Sequence, residues 1–222
     1  DLHSFPTRRS SDLLSSPYAH RTGQQHTHAP GEAAEPGART RLRGAAARTA
    51  RNMEESLSVP TATSARAVPA KVLIENRAII NTHLARTRGG HVSYTHLIGW
   101  AVVEALVEMP SMNAAYGTDE DGRPAVTHPA HVGLGLAVDA SASGGERRLL
   151  VPCVHRADLM DLAGFVSASE DLVRRAREGA LTLEDMAGTT LTLTNPGTLG
   201  TLHSVPRLMP GQRAIKIGRA HV

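Results

Sequence analysis

The stretch Thr189 to Gly197, TTLTLTNPG, decides how this chain is read. Leu191 and Leu193 fall on one face and Thr190, Thr192 and Thr194 on the other, which is the period of two of a β-strand. Asn195-Pro196-Gly197 breaks the strand and leaves the Thr194 hydroxyl where regular pairing stops and a ligand can reach it. The residues that follow, TLGTLHSVPRLMPG (198–211), are too polar and too rich in glycine and proline for a regular element. Loops of that length inside a compact domain are usually functional. An edge strand whose threonines merely serve β-propensity fits the same letters, so the residue types leave both readings open.

Upstream, the pattern alternates between helix and strand. ADLMDLAGFVSASEDLVRRAREG (157–179) predicts a helix capped by Asp158 and closed by Gly179, and LTLEDMAG a short helical turn. Before it, NAAYG, RPAVT, HVGLGLAVDA and RRLLVPCV predict short strands joined by Asp-Gly and Gly-Gly turns. SYTHLIGWAVVEALVEM (93–109) has apolar residues over more than half of a helix surface, with Ser93 as its cap, and is expected to be the central buried helix. Val72, Leu73, Asn76, Ile79, Ile80 and Leu84 share a face of another helix that starts at Pro69 and ends at Gly89-Gly90. TATSARAV (61–68) alternates like a strand. Leu42, Ala46, Thr49, Met53 and Leu57 mark a first helix expected to dock on the larger body. The resulting order, α, β, α, α, a run of strands, α, β, describes a mixed sheet backed by helices.

The two ends behave differently. Asp1 to Leu13 has no apolar period and back-translates into a widely used sequencing adapter, and Ile217 to Val222 back-translates into the matching adapter of the opposite end. Residues 1–13 and 216–222 are therefore expected to be artefacts, 14–40 a disordered linker rich in Ser, Pro, Gly, Ala and His, and 41–215 one domain. Setting the ends aside removes Lys216 and Arg219 and lowers the formal charge from +3 to +1, because Arg8 and Arg9 cancel Asp1 and Asp12. The basic balance that would argue for nucleic acid goes with them.

Aromatic residues are only 3% of the chain, so its core must be aliphatic. One cysteine, Cys153, excludes an internal disulfide and suits a reducing compartment, so the cytoplasm is expected. The longest apolar run, 97–109, contains Glu104 and Glu108 and is shorter than the ~20 residues of a membrane span. Neither a membrane nor nucleic acid is an expected partner, and no export signal is expected.

Other motifs read as structural. Gly133-Leu134-Gly135 lies within a strand and lacks a third glycine, so it favours close backbone approach over a dinucleotide loop. His128 and His131 have metal-like spacing, but Pro129 keeps them off a common helical face; His26 and His28 lack further ligands. No metal site is expected, and Cys153, after Pro152 in an apolar strand, is expected to be an inert buried thiol.

Residues 42–116, from LRGAAARTARNMEESLSVPTATSARAV to MPSMNAAY, and 191–212, LTLTNPGTLGTLHSVPRLMPGQ, resemble a known family. It is the acyltransferase-like domain of actinobacterial multifunctional 2-oxoglutarate decarboxylase/dehydrogenases, itself similar to the catalytic domains of 2-oxoacid dehydrogenase acyltransferases and, more remotely, to chloramphenicol acetyltransferase. The resemblance covers about residues 42–215. It implies an α/β (α+β) fold, a two-layer mixed sheet backed by helices and chloramphenicol-acetyltransferase-like, incomplete at the C-terminus. It also implies a succinyltransferase-type activity, an acyl group moving between a dihydrolipoyl thiol and coenzyme A in the tricarboxylic acid cycle.

In such enzymes a histidine of a His-x-x-x-Asp-Gly motif is the general base, and a Ser or Thr hydroxyl stabilises the oxyanion. Thr194 matches that hydroxyl. Asn195, Gly197, His203 and Ser204, in the break and loop that follow, are the candidate substrate-binding residues. The histidine motif does not occur in the sequence, and the family carries it downstream, so the chain is expected to be truncated before it and inactive alone. Coenzyme A and dihydrolipoamide are implied as cosubstrates, with no cofactor held in this chain; thiamine diphosphate and Mg belong to a neighbouring domain. The implied partners are a thiamine-dependent decarboxylase domain fused downstream, lipoyl-bearing and dihydrolipoamide dehydrogenase components, and further copies of the chain. The competing reading is a non-catalytic scaffolding and oligomerisation domain of the fused decarboxylase.

Overall fold

A computed structural model describes residues 40–87, 89–140, 149–195, 204–209 and 211–217. The elements belong to the unit that spans Leu42–Val222. In chain order they are α1 (Gly44–Ser56), α2 (Lys71–Arg86), α3 (Tyr94–Glu108), β1 (Ala115–Thr118), β2 (Pro124–Thr127), β3 (Leu134–Leu136), β4 (Val138–Asp139), β5 (Leu149–Leu150), β6 (Cys153–Val154), α4 (Leu162–Glu178), β7 (Leu191–Thr194) and β8 (Ala214–Ile217). Short 3-10 turns lie at Pro110–Asn113, Ala157–Leu159 and Glu184–Met186.

Four strands form the principal sheet in the order β6-β3-β7-β8. β6 runs antiparallel to β3, whereas β3-β7 and β7-β8 are parallel, so the sheet is mixed. β7 is an interior strand, which disposes of the edge-strand reading of its threonines. Two small antiparallel pairs, β1-β2 and β4-β5, complete the strand pairing among the described residues.

Helices α3 and α4 supply the apolar layer against the principal sheet. Val103 and Leu106 of α3 and Phe165, Leu172 and Ala176 of α4 are buried with Leu134, Leu136, Leu191 and Leu193 of the strands. The Trp100 and Phe165 rings meet at 5.7 Å in a tilted arrangement. The core is otherwise aliphatic, as the shortage of aromatic residues demands. A two-layer α/β fold is thus present as expected.

Local chemistry explains the helix starts. Ser93 Oγ accepts the His96 N–H at 3.1 Å while the Ser93 N–H donates to His96 Nδ1 at 3.3 Å, a capping box in which imidazole replaces the usual Glu or Gln. Asp161, not Asp158, caps α4 by accepting the Gly164 N–H at 2.7 Å. Asp158 lies one turn too early and instead holds the approach to β3, accepting from Val132 N–H at 2.7 Å and facing His131 Nδ1 at 2.9 Å. Gly179 closes α4 in the left-handed conformation.

Several expectations are corrected. TATSARAV is not a strand: residues 61–69 are irregular and exposed, because alternation of small residues supplies neither a partner strand nor a side-chain surface to bury. α2 starts at Lys71 rather than Pro69, and its expected apolar face is divided, with Leu84 buried but Val72 and Ile79 exposed. α3 is buried on one side only; Ala101, Ala105 and Val107 face outward with Glu104 and Glu108. Along α1, Met53 is exposed, as is Leu57 just beyond the helix, and among the described residues of the helix only Ser56 is buried.

Candidate active site

Thr190, just before β7, and Thr192 and Thr194 within it have three different environments. Thr190 is buried at the strand entry, where its hydroxyl accepts the Gly133 N–H at 3.2 Å and donates to the Gly133 carbonyl at 3.3 Å. Thr192 is 3% exposed and donates to Gln212 Oε1 at 3.2 Å. Thr194 is half-buried, the first residue of the strand to come out of the interior.

Register explains that change. β3 pairs with β7 only as far as Leu136 opposite Leu193, and the Ala137 N–H then donates to the Leu193 carbonyl at 3.0 Å. On the other side β8 continues one step further, to Ile217 opposite Thr194. Thr194 is therefore held by the ladder on one side while β3 has already turned away. Its position is fixed by a strand, but its side chain stands at the carboxyl end of the parallel strands, the usual place for ligand sites in open α/β sheets.

Asn195 continues this edge and donates through Nδ2 to Thr95 Oγ1 at 3.2 Å. Thr95 lies in the first turn of α3, four residues before Gly99 and eight before Val103, and so on the helix side that meets the sheet. A Cβ on Gly99 would lie 3.0 Å from Phe165 Cζ and 3.3 Å from both Leu134 and Leu193 side chains. Glycine here lets α3 approach β7 closely enough for Thr95 to reach the strand end.

Gly133, just before β3, and Gly135 within it act in the same way. A Cβ on Gly133 would run into the backbone carbonyl of Gly188, and one on Gly135 would stand 2.7 Å from Thr189 Cγ2. Close backbone approach, rather than a phosphate cradle, accounts for Gly133-Leu134-Gly135.

Of the other candidate residues, Ser204 is half-buried in the irregular segment 204–209. Gly197 and His203 lie outside the described residues. Cys153 is fully buried, and burial pushes its thiol up, the opposite of what a thiolate nucleophile needs. His131 is engaged with Asp158; burial alone would raise that carboxyl, but hydrogen bonds from His131 and Val132 outweigh it and hold it below the usual range. Among the described residues no group of three or more metal-ligating side chains converges. No described helix is long and apolar enough to cross a membrane.

Thr95, His96 and Gln212 do not stand out in the sequence, yet Thr95 meets Asn195, His96 closes the start of α3 and Gln212 accepts from Thr192. The signal available for Thr95 was its spacing from Gly99. For His96 it was the three-residue step from Ser93. Burial lowers the His96 pKa from its ordinary value; the Glu170 carboxylate pulls the other way, and His91 adds to the lowering.

Comparison with known proteins places this geometry. Residues 34–221 match the model of the 2-oxoacid dehydrogenases acyltransferase (catalytic domain). A multifunctional 2-oxoglutarate metabolism enzyme of Mycobacterium sp. (strain JLS) is 57% identical over 174 residues, 78% of this chain but 14% of that protein. The chain thus spans about one-seventh of the length of such relatives. The truncated catalytic core of the 2-oxoacid dehydrogenase multienzyme complex from Thermoplasma acidophilum superposes with a TM-score of 0.65 at 25% identity, covering 79% of this chain and 77% of that one. Azotobacter vinelandii dihydrolipoamide acetyltransferase shares the fold with a TM-score of 0.64 at 24% identity over 75% of this chain and 65% of that one. In that protein a serine, a histidine and an asparagine were investigated for their role in the catalytic mechanism.

Proposed function

Because the chain belongs to the 2-oxoacid dehydrogenase acyltransferase (catalytic domain) family, we propose that Thr194 is the oxyanion-stabilising hydroxyl of an acyl transfer between a dihydrolipoyl thiol and coenzyme A. The observation that carries this reading is the exit of Thr194 from an otherwise buried interior strand at the carboxyl end of the sheet. The likeness to multifunctional 2-oxoglutarate metabolism enzymes supports succinyl as the acyl group, the tricarboxylic acid cycle as the setting and a thiamine- and Mg-dependent decarboxylase domain as the neighbour. Lipoyl-bearing and dihydrolipoamide dehydrogenase components, and further copies of the chain, are the other partners in this reading, which is set in the cytoplasm.

The chemistry follows from charge. A thiolate adds to the thioester carbonyl, a C–S bond forms and the carbonyl electron pair moves to oxygen. A hydroxyl already aimed at that oxygen gains strength as the charge develops; collapse of the intermediate expels the other thiolate. Thr194 supplies the donor from a backbone fixed by β8. Asn195, Gly197, His203 and Ser204 would contact the substrates beside it. A His-x-x-x-Asp-Gly motif is absent from the 222 residues, so this chain does not itself supply the base of that motif.

Steady-state transfer between succinyl-coenzyme A and dihydrolipoamide tests the proposal in the chain joined to a downstream segment carrying that histidine motif. Thr194→Ala should lower kcat by about 10² to 10³ with little change in KM, and Thr194→Ser should retain much of the rate. The 222-residue chain alone should show negligible transfer. An unchanged kcat in folded Thr194→Ala protein would remove the catalytic role.

A second reading, a scaffold that self-associates, has an observation of its own. Tyr116 and Val126 face each other across the β1-β2 hairpin and are 76% and 59% exposed. A dimeric or larger species without affinity for coenzyme A would favour it.

A further inference from the structure

We propose that Thr95 is a positioning residue for Thr194: its hydroxyl, accepting from Asn195, pins the end of β7 to the first turn of α3. The inference rests on the catalytic reading of Thr194 and concerns how that hydroxyl is kept in place.

Thr194 is the last laddered residue of β7, and β3 has left it one position earlier. A strand end held from one side is free to twist about the peptide that follows. The Asn195 side chain crosses from that peptide to Thr95, 100 residues away in sequence, at 3.2 Å. Thr95 itself is held by two independent constraints. Its helix start is closed by the reciprocal Ser93–His96 capping pair. One turn further on, Gly99 seats α3 against Leu193 of the same strand.

The anchor therefore sits on the layer that packs against β7, so the strand and its brace share one rigid support. A β-branched side chain has a χ1 set by its backbone, so fixing the 194–195 peptide selects one orientation of the Thr194 hydroxyl. Such prior orientation is what an oxyanion donor requires.

The test uses the whole 222-residue chain and NMR couplings that report χ1 of Thr194. The wild-type chain should show a single rotamer. Thr95→Val, which keeps the shape and removes the acceptor, should give rotamer-averaged couplings at Thr194, with the melting temperature moving by no more than about 3 °C. Thr95→Ser should restore the wild-type couplings, and Asn195→Ala, made from the exposed side, should reproduce the averaging.

A Thr194 that stays in one rotamer in either Thr95→Val or Asn195→Ala overturns the proposal. So does a serine variant that behaves like valine. Should Thr95→Val unfold the chain, Asn195→Ala alone decides. A Thr194→Ala enzyme of unchanged kcat would instead remove the catalytic reading and leave the Thr95–Asn195 brace standing, so the two failures are distinguishable.

Discussion

The β3-β7 pair and the β1-β2 hairpin are both built from short strands of three or four residues, one strand of each containing a glycine, and they end in opposite environments. Every residue of β3 and the first three of β7 are buried, whereas the hairpin shows an exposed residue at most positions. The hairpin is held by local chemistry: Asp119 Oδ1 accepts the Asp121 and Arg123 N–H groups at 3.0 and 2.8 Å, and Gly122 takes the positive φ that the turn needs. The β3-β7 pair is held by distant segments, with α3, α4 and the Gly188 backbone closing on it. A turn suffices to form a hairpin, but only cover from elsewhere makes a strand pair into a core.

Glycine substitutions should separate the two regions most widely. Gly133→Ala places a methyl against the Gly188 carbonyl, backbone that cannot swing aside, and should cost about 3 kcal/mol or more. The equivalent Gly117→Ala in β1 meets nothing within 4 Å and should stay within about 0.5 kcal/mol. Chemical denaturation of both variants checks the contrast; equal losses would erase it.

Gly99→Ala should fall between these, at about 1 to 2 kcal/mol, because the methyl meets side chains that can shift. Combining it with Phe165→Leu, which removes the nearest ring atom, should cost less than the sum of the two single changes. Full additivity would mean that α3 does not press on the sheet through that contact.

Acidification should affect the core region more gently. The folded His96 pKa lies below its ordinary value, so the unfolded chain takes up a proton first as pH falls. Its contribution is complete above about pH 6.5 and is lost progressively below it. Melting temperature should decline between pH 7.5 and 5.5, and His96→Gln should flatten that part of the profile. Asp158, held low, should add a second loss below about pH 4.

The smallest effect is expected on the hairpin. Tyr116→Thr and Val126→Thr should each move the stability of the isolated chain by less than about 0.5 kcal/mol. A larger loss, growing as the protein is diluted, would show that another copy covers the hairpin and that its exposure is not its working environment.

Much of the fold was legible because it depends on local periodicity. The period-two pattern of Leu191 to Thr194, the apolar spacing of α4 with Gly179 at its end, and the Ser93 cap needed only neighbouring residues to be read. The end of β7 at Thr194 was legible too, since a strand followed by Asn-Pro-Gly marks its own end. The errors have a common cause. TATSARAV alternated correctly but had no partner strand, and Asp158 had the right chemistry one turn before the helix that Asp161 caps. Neither a partner nor a spatial neighbour is written in a local pattern.

The sequence by itself determined most of the segments that would be helix or strand, and that a threonine hydroxyl would stand at a strand break. It did so because propensity, capping and side-chain period act over a few residues. Only the tertiary structure decided that β7 is interior rather than edge, that the Gly188 carbonyl is what Gly133 approaches, that Gly99 is a point of contact, and that Thr95 reaches Asn195 across 100 residues. Those facts depend on which surfaces meet. Burial and close packing reward any arrangement that excludes water and fills space, and the arrangement chosen is a property of the whole chain.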